Sequence, residues 1–405
     1  MNSIKNSVLK ALDKPAEYGP DIDLSEYDID KPVVDDLTVD KLSQDVLKAT
    51  DRISFNVDNI SYIQVNEQAL YRIMEKQLSK YGVKIMPLNK ALEEYSFARE
   101  LAWRIIEPDR DKYTAYTYLY GGELGFFIYV PPDTKVPIPV YNCLIITSDK
   151  KIQLVHNIIY VDKGSELHVV TGCAVPHGVS KGLHIGISEF YVGENARLTY
   201  AMIHAWASGL HVRPRTSVYV EKNSEFVNYY AVYSPVASVQ SYPKIVLKEN
   251  SRVYSATIVS GTGDGVYDHG VKTILSEKNS SSEIVSRVIA RDSSKIYARA
   301  DIEAYSRDTR GHIECLGLLM SSSAFISSIP IISSREPGAL LTHEAAIGYI
   351  ADREVEYLMS KGFDESEAKS LIVRGFMNID VPGLPISVKR EIDRILDIVV
   401  KQAVG

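Results

Sequence analysis

Five short turns recur at a near-constant interval through the middle of this 405-residue chain. KGSEL, ENARL, KNSEF, ENSRV and KNSSS share one form: a charged residue, then Gly or Asn, then Ser or Ala, then the next extended run. The Gly or Asn positions are Gly164, Asn195, Asn223, Asn250 and Asn279, spaced 31, 28, 27 and 29 residues apart. Gly and Asn tolerate the left-handed backbone of a tight turn at little cost. Between the turns lie β-branched and aromatic runs such as IQLVHNIIYVD, ELHVVTG, HIGISEFYV and RLTYAMIHAW, which read as strands. A repeat of this length without intervening helices predicts a stacked solenoid. One coil cannot bury its own apolar face, so neighbours must stack. A parallel β-helix fits better than a propeller, because no Trp-Asp or Gly-His blade signature recurs. An antiparallel sandwich is the alternative.

Three regions follow from the periodicity. Residues 1–111 read as a mainly helical N-terminal α/β domain, 112–341 as the β-helix core, and 342–405 as a C-terminal helical domain. In the first region, Ser3 to Leu12 and VDKLSQDVLKATD have helical spacing. Asp- and Pro-rich residues 13–39 read as irregular, and ISFNVDNISYIQVN as a small hairpin. YRIMEKQLSKYG reads as a helix stopped by Gly82, and ALEEYSFARELAWRIIE as one stopped before Pro108. The period of two begins near Lys112. From about Thr342 the pattern reads as helical, with a first helix from Glu344 to Lys361. Asp364 and Glu367 resemble a capping box opening ESEAKSLIVR, which Gly375 ends. Pro385 and Ser387 open the last helix, whose apolar stripe carries Val388, Ile392, Ile395, Val399 and Val400.

The net charge of −7 argues against nucleic acid as a partner, since phosphate-reading surfaces are basic. Three widely spaced cysteines (Cys143, Cys173, Cys315) form no CxxC pair and no disulfide framework. With no apolar leader and no run near the roughly 18 to 20 residues that span a bilayer, a soluble cytoplasmic protein without membrane contact is expected. No Walker-type loop is present, so nucleotide hydrolysis by that route is not expected.

The stretch from Gly311 to Ile350 gathers a thiol, an imidazole and a carboxylate. Cys315 follows His312 and Glu314, and His343 and Glu344 stand near the far end. Thiolate is a soft ligand and carboxylate suits ferrous iron. The plainer readings stay open on residues alone. A lone buried Cys is more often a small hydrophobe, and Glu344 with His343 fits a helix start. Cys143, in YNCLII, reads as core. His156, His168, His177, His184 and His211 have no ligand spacing and read as structural.

From roughly residue 100 onward the chain resembles the SufB/SufD scaffold family of the SUF iron–sulfur cluster assembly machinery, the archaeal SufB type in particular. EPDRDKYTAYTYLYGGELGFFIYVPP, VHNIIYVDKGSELHVVTGCAVPHGVSKGLHIGISEFYVGENARLTYAMIHAW, HVRPRTSVYVEKNSEF and THEAAIGYIADREVEYLMSKGFDESEAKSLIVRGF carry the resemblance. It implies a right-handed parallel β-helix between helical terminal domains. It implies that Cys173, in VTGCAVP, accepts sulfur and that Cys315, in HIECLGLL, nucleates a transient iron–sulfur cluster with Glu344 and His343 at a subunit interface. Trp206 matches an aromatic position on the sulfur path between the cysteines, and His204 replaces a glutamine often found there. The implied partners are a SufC-type ABC ATPase docked around Asp352 to Phe376, a second SufB/SufD-type subunit in a homodimer or heterodimer, and apo iron–sulfur proteins. The implied role is assembly scaffold rather than enzyme. A SufD-like structural subunit without its own cluster site is the first alternative. A β-helix carbohydrate-active enzyme is the second, disfavoured by the lack of an acidic ladder.

Overall fold

The computed structural model describes residues 2–36, 42–53, 55–71, 76–381, 384 and 386–404. Its centre is a parallel β-solenoid of about 8 turns, with helices towards both ends of the chain. Two sheets form its walls. The first runs in spatial order 33–36, 68–71, 60–65, 140–145, 166–174, 197–205, 225–232, 252–261, 281–290, 310–319 and 340–349. All its pairings are parallel except the hairpin of Ile60–Val65 with Gln68–Tyr71. The second wall takes the alternate strands, among them 151–161, 182–192, 266–275, 295–304 and 325–334.

The turn repeat sets the register. All five repeat residues have left-handed backbone, with φ between 56 and 70°. Two residues beyond each turn, the strands stack in step: Glu166 pairs with Arg197, Arg197 with Glu225, Glu225 with Arg252, and Arg252 with Ser281. The asparagines also form a ladder. Asn223 Nδ2 donates to Asn195 Oδ1 at 3.2 Å, Asn250 to Asn223 at 2.9 Å, and Asn279 to Asn250 at 3.0 Å. The same position continues at Asp308 (φ 60°) and Gly338 (φ 90°), two further coils whose turns lack the Asn-Ser form.

Alternation then sorts the side chains. In the first sheet Leu167, Val169 and Cys173, Leu198, Tyr200, Met202 and Trp206, and Ile313 and Cys315 face inward against the second sheet, filling the lumen. Val170, Ala201, Ile203, Tyr229 and Ile258 face outward, under helix Gln44–Arg52 at one end and helices Glu365–Met377 and Ile386–Val404 further along. Gly172 leaves room for this packing, because a Cβ there would lie 2.3 Å from Ile53 Cδ1. The second sheet's outer face is covered by residues 16–29, the Trp103–Ile106 loop and helices Leu88–Glu94 and Ser96–Leu101.

Several elements differ from the periodicity. Lys112–Tyr120 is a helix, although its β-branched and aromatic residues read as extended; an Asp111–Thr114 capping box starts it. ALEEYSFAREL holds two helices, broken at an extended Tyr95 whose ring meets Phe97 at 5.5 Å, and the second ends at Leu101, so the expected helix does not run on to Pro108. The helix expected from Glu344 begins only at Asp352, and Leu340–Tyr349 is the last strand of the first sheet. Its apolar spacing suited a helix, but the open backbone edge of Arg310–Leu319 recruits it as a strand. The helix opened by the Asp364–Glu367 box runs through Gly375 to Met377. Residues 13–36 are irregular apart from a single helical turn and strand Val33–Asp36. Helix Asn2–Ala11 matches the expected span within a residue, while Gln44–Arg52 starts later than the expected VDKLSQDVLKATD, at the Ser43 cap. In the expected helix YRIMEKQLSKYG, Lys76–Ser79 is helical. Residues 37–41, 72–75 and Pro385, on which parts of these readings fall, lie outside the described residues, as do the side chains of Ser387, Ile395 and Val399.

Candidate functional site: two cysteines in one lumen

Cys173 ends strand Glu166–Ala174, with Leu144 and His204 as its Cα partners on either side. Its side chain is lumenal and fully buried, and burial pushes the thiol up. Cys143, opposite Gly172, faces the other way and packs in the outer core, as expected. Arg52, at the end of helix Gln44–Arg52, donates to Val175 O at 2.6 Å and Trp206 O at 2.8 Å. One guanidinium thus ties together the two chain segments that follow Cys173 and His204.

The groups around Cys173 are aromatic and heterocyclic. Trp206 Nε1 donates to His204 Nδ1 at 2.8 Å, and the rings stack at 5.9 Å. His184 from the facing sheet lies 5.2 Å from the Trp206 ring. Gln153 Nε2 donates to the carbonyls of Gln64 and Ile145, so its Oε1 is left to accept from His184 Nδ1 at 2.9 Å. Burial pushes His184 down to about 3 and His204 far below the usual imidazole range. Both rings are therefore neutral at pH 7. The plain structural reading of His184 fits its partners but missed its place beside Trp206. Aligning coils on their turn residues gives the signal, because Cys173 and His204 both stand nine positions past a turn residue.

Cys315 lies five strands further along the same sheet, about 24 Å at the usual spacing of about 4.8 Å. It is also lumenal and only 2% exposed. Burial pushes its thiol up, with the Ser328 hydroxyl and the Arg287 guanidinium pulling the other way. The column that reaches it through successive coils is Thr171, Met202, Tyr230, Thr257 and Ser286, each in register with the next. Beside this column sits a cavity of about 20 Å³, lined in part by Tyr200, Tyr230, Thr257 and His269. His269 is buried with both ring nitrogens unpartnered, a residue the periodicity did not single out.

Only Leu340–Tyr349 lies beyond the Cys315 strand in its sheet. Ala345 is the partner of Cys315, His343 of Ile313, and Glu344 of Glu314. Leu341 and Ile347 reach the lumenal side, against Gly311 and Gly317. His343 therefore shares the face of Cys315. Glu344 is on the opposite face, with Glu314, which pairs with Arg287, and Thr342, which meets His312 Nδ1 at 2.8 Å. His343 and Glu344 are exposed strand residues, eight or more positions before the next helix, so neither caps it. Among the described residues no group of three or more His, Cys, Asp or Glu is placed to hold a metal ion. This end of the solenoid exposes Phe325, Ile331, Ile332, Leu340, Ile347 and Tyr349. On the hairpin formed by helices Asp352–Ser360 and Glu365–Met377, Tyr357, Met359, Phe363 and Leu371 are exposed. Among the described residues no helix is long and apolar enough to cross a membrane.

These features define a class: a parallel β-helix with one thiol inside its lumen and a second near an open, apolar end. Residues 144–376 match the SUF system FeS cluster assembly, SufBD core domain. The chain is 38% identical over 403 residues to an iron-sulfur cluster assembly SufBD family protein of Methanothermobacter thermautotrophicus, covering 97% of both chains. It is 41% identical over 317 residues to one of Archaeoglobus fulgidus, covering 78% of this chain and 85% of the relative. One of Pyrococcus horikoshii is 30% identical over 370 residues, covering 90% and 82%. The chain belongs to the SufBD family of iron–sulfur cluster assembly proteins.

Proposed function

We propose that this chain is a SufB-type scaffold on which an iron–sulfur cluster is assembled for transfer to apo proteins, and that it is not itself an enzyme. Cys173 accepts sulfur, the lumen passes it along, and Cys315 receives it where iron is added. The observation that carries this reading is that both thiols point into one lumen, joined by an in-register column of mainly polar side chains. Thiolate both holds sulfane sulfur and ligates iron, and carboxylate or imidazole ligands make the site easier to vacate than four thiolates.

The ligand set is completed across a subunit interface. One chain presents Cys315 and His343 on one face and Glu344 on the other, and the exposed apolar end suits a second SufB/SufD-type subunit, here a second copy. The exposed apolar residues between Asp352 and Phe376 suit a SufC-type ATPase, whose dimerisation would strain the shared interface. Such a complex works in the cytoplasm. A SufD-like structural role is the second reading, favoured by the separation of Glu344 from Cys315. Anaerobic reconstitution with ferrous iron and sulfide, read by absorption and Mössbauer spectra, separates the two. The scaffold reading expects a cluster in the wild type and a loss of at least about tenfold in Cys315→Ser. Equal cluster in both would make the SufD-like reading the better one.

A further inference from the structure

The lumen around Cys173 holds a buried hydrogen-bond donor with nothing to receive it. An indole N–H can only donate, so the Trp206 bond requires that His204 Nδ1 be bare. The neutral ring then carries its proton on Nε2. That nitrogen is fully buried and has no partner. The hydroxyls of Thr171, Tyr200 and Tyr230 are buried in the same stretch of lumen, but Tyr200 has Thr171 beside it and Tyr230 has Ser241, so His204 Nε2 is the group left without a partner. Thr171 is two residues before Cys173 on the same face, His204 is its Cα partner, and the Tyr230 ring meets the His204 ring edge-on at 5.0 Å. Unpartnered buried donors are rare and costly, and call for an explanation. The Cys173 thiol itself, kept protonated by burial, does not require that donor. Tyr200 and Tyr230 also line the cavity of about 20 Å³ further along the lumen, which neither Cys173 nor His204 lines.

We infer that these groups form a binding site for anionic sulfane sulfur carried on Cys173, in which His204 donates from Nε2 to the terminal sulfur and Trp206 is a positioning residue that fixes the tautomer. This rests on the reading of Cys173 as the sulfur acceptor. The loading step balances without an added oxidant. Cys173 Sγ attacks the outer sulfur of a persulfide or polysulfide, a new S–S bond forms at Cys173, and the donor's S–S bond breaks. The thiol proton leaves with the released donor thiol. The donor's outer sulfur arrives anionic, so the carried sulfur keeps that charge on Cys173, and its negative end takes the His204 Nε2–H.

The test loads the full chain anaerobically with inorganic polysulfide, removes the excess, and follows persulfide on Cys173 by timed alkylation and peptide mass spectrometry. Thermal midpoints confirm folding. His204→Leu is expected to shorten the persulfide lifetime about tenfold or more, the scale of one hydrogen bond to a charged acceptor. His204→Gln, which keeps an N–H donor, is expected to recover most of it. Trp206→Phe keeps the imidazole but frees its tautomer, and an intermediate lifetime is expected; it decides the matter if His204→Leu does not fold. A lifetime unchanged in folded His204→Leu, or in Trp206→Phe where that variant decides, overturns the donor site and leaves Cys173 as acceptor intact. A wild type that takes up no sulfur on Cys173 overturns the acceptor reading itself.

Discussion

Glu67 is a carboxyl group that the fold holds almost out of water. It sits in the turn between strands Ile60–Val65 and Gln68–Tyr71, 3% exposed, with Oε1 accepting from Leu154 N at 3.1 Å and Oε2 unpartnered. Burial pushes it from 4.5 up to about 8, with Asp30 adding to the shift and the Leu154 N–H and Lys151 opposing it. A folded-state value above the unfolded one means the native chain holds the extra proton. The stability linked to Glu67 is therefore complete below about pH 4.5 and is lost as pH rises through about 8. Glu67→Gln should flatten that loss and leave the variant more stable than wild type at pH 9, by on the order of 2–4 kcal/mol. Urea unfolding at pH 5 and pH 9 checks this, and parallel pH trends in both proteins would contradict it. Nothing in the sequence marks Glu67, because its burial comes from strand Lys151–Val161, more than eighty residues away. Cys173 was legible as a candidate only through family resemblance, whereas Cys315 also stood out beside His312 and Glu314 in the stretch that ends with His343 and Glu344. Their shared lumenal face needed the register, which turn spacing alone leaves open to a slip of one residue.

Among the elements, the turns were the most legible. A left-handed backbone position admits few residue types, so Gly164 and the four asparagines appear directly in the sequence. Asp308 and Gly338 occupy the same position, but Asp308 is neither Gly nor Asn and Gly338 follows Pro337 rather than a charged residue, so both escape a search for the motif. Asn250 makes the dependence testable. It donates to Asn223 and accepts from Asn279 at φ 56°. Asn250→Ala should cost about 2–3 kcal/mol, from two lost ladder bonds and a left-handed alanine. Asn250→Gly keeps the backbone freedom and should cost about half as much. Urea midpoints for the two variants settle it; equal losses would remove the backbone from the explanation. Strand Leu340–Tyr349 was the least legible element. Its apolar residues fit a helical face equally well, and only the unpaired edge of the preceding coil decides between them. That one difference moves His343 and Glu344 from a helix cap to opposite faces of a strand.

At the scale of the whole molecule, the solenoid is asymmetric. The N-terminal segments and helices cover its first coils, and the C-terminal helices cover the middle of one outer face. Among the described residues the coil after Cys315 has no such cover, and its side chains are largely exposed. A parallel β-helix gives a fixed line between two distant residues, and this chain places one thiol inside and one near the open end. The architecture was readable from the repeat. The function of the lumen was not, because its lining comes from one or two residues per coil, scattered over more than a hundred positions. The most direct test of the account is a time course of sulfur position. Polysulfide carrying a sulfur isotope would be given to the wild type and to Cys173→Ser, and label on each cysteine mapped by peptide mass spectrometry. The account expects label on Cys173 first and on Cys315 afterwards, with at least about tenfold less reaching Cys315 in Cys173→Ser. Label arriving on Cys315 equally fast in both proteins would contradict transfer through the lumen.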